Sequence, residues 1–191
     1  MNAVLGTAGL VLGAAASVLG VVTLAVGLRR KRPALLETGW SYSLLALLGA
    51  VVAVVAMQRA LITRDFTVEF VHDNGSHRTP RLFNVATMWS ALEGSILLWI
   101  LILAGFTVHV ARKFRQRMSD PLVGWALLTM LVVSAFFFAL VLGPANPFHT
   151  VEVPPGYDGP GPNPLLQQHI LMAFHPPALY LGYVGFTVPF A

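Results

Sequence analysis

The residues best suited to chemistry in this 191-residue chain lie in Phe174-His175-Pro176-Pro177-Ala178-Leu179-Tyr180-Leu181-Gly182-Tyr183. One imidazole stands there directly before two prolines and an apolar run. Proline disfavours helical backbone in the residue before it, so the pattern predicts His175 in extended backbone just outside a helix. Pro177 suits the first helical turn, where its missing N–H costs nothing. A neutral imidazole on stiff backbone can offer a ring nitrogen to a metal or to haem iron. The plainer role is a histidine that only helps to set the helix start, and the residue types alone favour that one.

Glu93 is the second group with chemical potential. It is the one carboxylate well inside an apolar segment, in Trp89-Ser-Ala-Leu-Glu-Gly-Ser-Ile-Leu-Leu-Trp99. A helix starting near Asn84 would carry it roughly 13 Å along at 1.5 Å per residue. An acid at membrane depth is costly, so it reads either as a proton relay or as a paired, architectural carboxyl. The architectural role weighs more, with Arg59, near the outer end of the second apolar stretch, as a candidate partner. His72 and His77 fall in a polar loop and read as solvated; His109 falls beside a basic cluster; His149 and His169 are weaker alternatives to His175 as ligands. No paired-histidine motif, glycine-rich phosphate cradle or Ser/His/Asp arrangement is present in the sequence.

The elements that must position these groups are membrane helices. The chain is 56% hydrophobic and 10% charged, with a mean hydropathy of +0.72. A soluble domain carries about a quarter charged residues, so the composition indicates an all-α polytopic membrane protein. Apolar stretches at about 3–28, 40–62, 85–111, 122–142 and 169–191 predict about five transmembrane helices in a single membrane domain, 1–191. The net charge of +4 does not indicate nucleic acid, because the basic residues sit in short loops beside apolar runs. Arg29, Arg30, Lys31, Arg32, Arg112, Lys113, Arg115 and Arg117 fall on one side, against Arg64, Arg78 and Arg81 on the other. Eight against three places the first set in the cytoplasm, the N-terminus outside, and the loops 63–84 and 143–168 in the outer compartment. His175 belongs to that outer face.

Three further features bear on architecture. Gly6, Gly13, Gly20 and Gly27 recur every seven residues, with Gly9 completing a Gly-x-x-x-Gly to Gly13. Small residues on one face let helix backbones approach closely in lipid, which makes this a packing stripe. Phe66, Val68 and Phe70 alternate with Thr67, Glu69 and Val71 ahead of Asn74-Gly75, which predicts a short hairpin on the membrane surface. The run 153–164, rich in proline and glycine, must be irregular loop. Counted from Ala178, the last apolar stretch is too short to cross a ~30 Å hydrocarbon layer. Either a span begins before the prolines or the chain is part of a longer protein, and the second reading is preferred. There is no cysteine, so the chain has no disulfide framework and no thiol chemistry of its own.

Five blocks then resemble one family, in its order: Asp65-Phe-Thr-Val68; Trp89 with Glu93-Gly-Ser-Ile-Leu-Leu-Trp99; Asn146-Pro-Phe148; Asn163-Pro-Leu-Leu-Gln167; and His175 through Ala191. Together they are similar to the N-terminal part of the CcmF/NrfE cytochrome c haem lyases. The resemblance implies a multi-pass protein of the bacterial cytoplasmic (inner) membrane that takes b-type haem in transit from a haem chaperone. It would work with thiol-handling maturation proteins and attach the haem to apocytochrome c. It also implies that His175 is an axial ligand to the haem iron, and that ligation weakens as the ring protonates. The family usually has His-Glu-Gly-Ser in the third helix where this chain has Leu92-Glu93, so no ligand is expected there. The family's tryptophan-rich segment, its second outer histidine and the pair that holds a resident b-type haem do not occur in these 191 residues. The expectation is therefore an N-terminal fragment of a longer or split protein, bringing one ligand to a larger site. Two rival classes are a proton- or ion-translocating transporter subunit, built on Glu93 and Arg59, and a non-catalytic membrane assembly module.

Overall fold

In the computed structural model, which describes residues 1–167 and 169–191, the apolar stretches are mostly helical. In chain order the helices are α1 (Asn2–Arg29), α2 (Pro33–Glu37), α3 (Gly39–Thr63), α4 (Glu69–Asn74), α5 (Arg81–Ala86), α6 (Leu92–Lys113), α7 (Pro121–Leu142), α8 (Leu171–Gly185) and α9 (Thr187–Phe190). Four segments are long and apolar enough to cross a membrane: α1, α2–α3, α6 and α7. They form one bundle in which α1 packs between α3 and α7, α6 closes against α3 and α7, and α8 lies on α6. The short α2 and the turn before α7 lie at the basic end of the bundle. The segments 64–91 and 143–167 cover the other, the loop end.

The glycine stripe does what its spacing suggests. A Cβ on Gly9 would stand 2.7 Å from the Gly49 carbonyl oxygen, and one on Gly49 would stand 2.5 Å from the Gly13 nitrogen. On α3 the opposing face is Ala46, Gly49, Ala53, Ala56 and Ala60, all buried. On its other side the stripe takes large side chains. The rings of Phe148 and Phe138 lie over Gly6 and Gly13, and Leu131 reaches Gly20. Backbone contact with α3 and aromatic packing with Phe138 of α7 and Phe148 of the following loop thus use one row of missing side chains.

Three expectations need correction. No hairpin forms over 63–84. Residues 69–74 are helix α4, and Gly75 has extended backbone (φ −94°, ψ 156°) rather than a hairpin-turn conformation. The alternation fails because Phe70 and Val71 are both buried, at 4% and 0% exposure. The extended pairing that does occur is between loops: Val68 bridges Thr150, the Glu69 N–H donates to the His149 carbonyl (2.8 Å), and the Val151 N–H donates to Thr67 (3.0 Å). Partners 82 residues apart cannot be read from a local pattern.

The third apolar stretch is not one helix from residue 85. It is α5, a 3-10 turn at Thr87–Trp89, and then α6, separated by Ala91 in extended backbone (φ −130°, ψ 165°). Gly94 permits this break, because a Cβ at that position would collide with the Met88 carbonyl.

The last stretch begins before the prolines, at Leu171, and runs alongside α6 in the same direction. Tyr180 stands by Trp99 (ring centroids 6.1 Å). Gly185 stands by Phe106, and Val188 lies in a crevice with Val110 and Phe114. So 171–191 follows α6 over most of its length as two helices, α8 and α9, that meet at Phe186. Gln168, the last residue of the loop expected over 143–168, lies outside the described residues.

Candidate functional site

His175 is the fifth residue of α8, inside the helix, and this corrects the extended conformation expected from the prolines. Both Pro176 and Pro177 are helical and remove the N–H groups that would bond four residues back. The steric bias before a proline is modest. It is outweighed by packing of α8 on α6, where Ala173 and Val184 are each 1% exposed. A membrane environment also tolerates proline within helices when neighbouring helices support them.

The helical setting decides where the imidazole stands. On a 3.6-residue repeat, His175 shares a face with Leu171, Leu179, Gly182 and Phe186, opposite the Val184 side that meets α6. That face is open: His175 is exposed, and Leu171, Leu179 and Phe186 are 61%, 43% and 71% exposed. A Cβ on Gly182 would meet nothing within 4 Å. Among the described residues neither ring nitrogen of His175 has a hydrogen-bond partner. The result is one free imidazole on a flat apolar stripe. A metal-centred ligand with a large apolar surface would suit such a face, and His175 is the residue there that could offer a nitrogen to the metal.

The other histidines are engaged differently. His169 Nδ1 accepts the Leu171 N–H at 3.1 Å, capping the first turn of α8. A neutral ring accepting at Nδ1 carries its proton on Nε2, so while it caps, His169 has no free lone pair for a metal. His72 and His77 are not simply solvated, as expected from sequence. The His72 ring stacks on Tyr157 at 4.2 Å and 6°, and the Tyr157 hydroxyl donates to the His72 carbonyl (3.0 Å). The His77 N–H donates to Asp158 Oδ1 at 2.8 Å, with the ring Nδ1 at 3.2 Å. Tyr157-Asp158 are the side chains able to dock amid Pro154, Pro155, Gly156, Gly159 and Pro160, and that isolation was the sequence signal for a contact. His149 is exposed, and its carbonyl pairs with Glu69. His109, also exposed, lies near the basic end of α6.

Glu93 is not deep in a helix. Because α6 starts at Leu92, the carboxylate falls in its first turn, where unpaired N–H groups and the helix dipole favour a negative charge. It lines a cleft of about 240 Å³ at the loop end together with Glu69, Asp73, Asn146 and His149. Arg59 is not its partner: Arg59 donates to Asn2 Oδ1 (3.3 Å), and among the described residues no ion pair joins it to Glu93. Asn2 in turn donates to Asp65 (2.8 Å), so the start of α1 is tied to the end of α3.

Two loop-end carboxylates are held below their ordinary range. For Asp65, burial acts upward, but the Thr67 hydroxyl (2.5 Å) and the Asn2 amide outweigh it. For Asp158 the His77 backbone N–H is the main cause. A carboxyl depressed in the folded state stabilises it fully above the ordinary value of about 4, and that contribution disappears as pH falls through the folded value. Amide exchange over 65–79 and 150–161 should therefore accelerate below about pH 4 while α1, α3, α6 and α7 stay protected. Protection of these loops that is unchanged by acid would show that the carboxylates do not hold the seam.

Residues 89–191 match the family described as Cytochrome C assembly protein. The chain is 42% identical over 139 residues to the cytochrome c-type biogenesis protein CcmF of Escherichia coli (strain K12), covering 73% of this chain and 21% of that protein. It is 35% identical over 187 residues to CycK of Rhizobium meliloti, covering 98% and 27%. It is 34% identical over 166 residues to NrfE of Haemophilus influenzae, covering 86% and 26%. The solved structure of Cytochrome c Heme Lyase CcmF superposes with a TM-score of 0.85 at 31% identity, over 99% of this chain and 29% of that one. The chain thus spans between a fifth and a third of the length of these relatives. With more than half of its residues inside the family match and nearly all of its fold inside a CcmF structure, the chain belongs to the CcmF/NrfE family of cytochrome c assembly proteins.

Proposed function

We propose that this chain is the N-terminal membrane segment of a cytochrome c haem lyase, and that His175 supplies an axial ligand to the haem being delivered. The observation that carries the reading is the free imidazole of His175 on the open apolar face of α8. The unequal distribution of basic residues supports an orientation in which α8 starts at the outer surface of the bacterial cytoplasmic membrane.

The chain contributes holding and orientation, while the reactive groups belong to the substrates. An apolar shelf with one ligand keeps the porphyrin edge accessible at the membrane surface. Each of two apocytochrome thiols adds across a haem vinyl group: the sulfur bonds to one vinyl carbon, the thiol hydrogen ends on the other, and no electrons leave the pair. The remaining part of the lyase covers the other haem face. A haem chaperone supplies the substrate, and thiol-handling proteins keep the two cysteines reduced.

Haem content tests the reading. In the complete assembly, His175→Ala should lower the haem that co-purifies by at least about tenfold, as loss of a metal-site contact typically does. Haem content equal to that of the unmodified assembly overturns it.

A further inference from the structure

The basic end of the bundle carries Arg29, Arg30, Lys31 and Arg32 on one turn and Arg112, Lys113, Arg115 and Arg117 on the next, all exposed. The carboxylates nearby in sequence are Glu37 and Asp120. Both turns lie on one surface: the Arg115 guanidinium sits 4.4 Å over the Trp40 ring, and Leu28 and Leu36 both approach Gly124. Loop charge of this sign is what orients a membrane protein and needs no ligand to explain it.

A second feature is not explained by orientation. A crevice of about 260 Å³ opens between α6, α7 and α9, walled by Val110, Phe114, Val123, Met130 and Val188. The charged residue on its wall is Arg117. Arg117 pairs with Asp120 at 2.5 Å, but the other Asp120 oxygen accepts the Leu122 N–H (3.0 Å) and caps α7. That carboxylate is therefore fixed at the helix start, and a guanidinium with five N–H groups retains donors for a second anion. Lys113 stands on the last turn of α6 with its ammonium 5.9 Å over the ring of Phe114, which walls the crevice.

We propose that this crevice binds an anionic phospholipid, one acyl chain lying in the apolar slot and the phosphate held by Arg117 with Lys113. Charge complementarity selects this occupant. A zwitterionic lipid fills the slot equally well but presents an ammonium to a surface already rich in cations. The site is independent of the haem reading and shares no residue with it.

The test is lipid retention by the full chain, and by the longer protein if it is part of one, reconstituted into vesicles of equal phosphatidylglycerol and phosphatidylcholine with matched acyl chains. After extraction in mild detergent, co-purified lipid should be enriched in phosphatidylglycerol. Each cation near an anionic headgroup contributes about fivefold, so Lys113→Gln with Arg117→Gln should remove most of the preference. Ala126→Phe, which fills the crevice wall without changing charge, should lower total retained lipid and leave helix content by circular dichroism unchanged. Equal retention of the two lipids, or enrichment that survives the double substitution, overturns the proposal. So does an absence of retained lipid, as when residues following Ala191 occupy the slot.

Discussion

Gly49→Ala should separate α1 from α3 and lower the stability of the bundle by about 3 kcal/mol, near the upper end of what overpacking usually costs. The added methyl would meet the Gly13 nitrogen at 2.5 Å, the Gly9 oxygen at 2.6 Å and the Gly13 α-carbon at 2.8 Å. All three are backbone atoms of another helix, so no side-chain rotation relieves the contact. The helices must move apart, and the close approach of Gly49 to Gly9 and Gly13 would be lost. Gly105→Ala is the control. It lies in the interior of α6, and its Cβ would meet nothing within 4 Å. There the higher helix propensity of alanine should leave stability unchanged or raise it by up to about 1 kcal/mol. The two variants carry the same chemical change, so unfolding in detergent followed by circular dichroism compares them directly. Equal midpoints would show that the α1–α3 crossing is not held by backbone proximity.

That prediction rests on a pattern visible before any coordinates, and the reason is physical. A packing stripe is written in one helix by the periodicity of that helix alone, so Gly6 to Gly27 could be read locally. The same holds for the apolar spans, each of which meets the requirement that a bilayer imposes on a single segment. Features that depend on two distant segments were not readable this way. Val68 pairs with Thr150 and His72 stacks on Tyr157 because the loop end brings two loops together. The break at Ala91 carries no proline or glycine of its own. Its enabling residue is Gly94, three positions later, whose role depends on how the Met88 carbonyl folds over it. Once the break is there, Glu93 moves from an apparent burial depth to a helix start, and the strongest sequence argument for proton translocation loses its geometry.

His175 is the instructive case at the site. Its residue type and neighbours marked it, and a rule about prolines placed it in extended backbone. Packing on α6 overrides the rule, and the helical register then supplies something the rule did not: a face. Leu171, Leu179, Gly182 and Phe186 become neighbours of the imidazole only on a helix. The reading of His175 as a ligand is thus supported by a conformation opposite to the one first expected, while the identity of the residue stays the same.

In the complete assembly His175→Gly should lose bound haem by at least about tenfold and recover much of it when imidazole is added to the buffer. Removing the side chain leaves a gap on an exposed apolar stripe, with Leu171 and Leu179 one turn to either side still in place to bound it. A diffusible imidazole can enter that gap and present the same nitrogen to iron. Rescue separates ligation from structure, because free imidazole cannot repair a helix that glycine has loosened. His169→Ala is the complementary variant. It removes the acceptor for the Leu171 N–H, so it should fray the first turn of α8 at a cost of about 1 kcal/mol. It should leave the haem absorbance unresponsive to imidazole. A His175→Gly assembly that keeps its haem, or one that loses haem without recovering any on addition of imidazole, would place the iron ligand elsewhere and leave α8 as a packing helix.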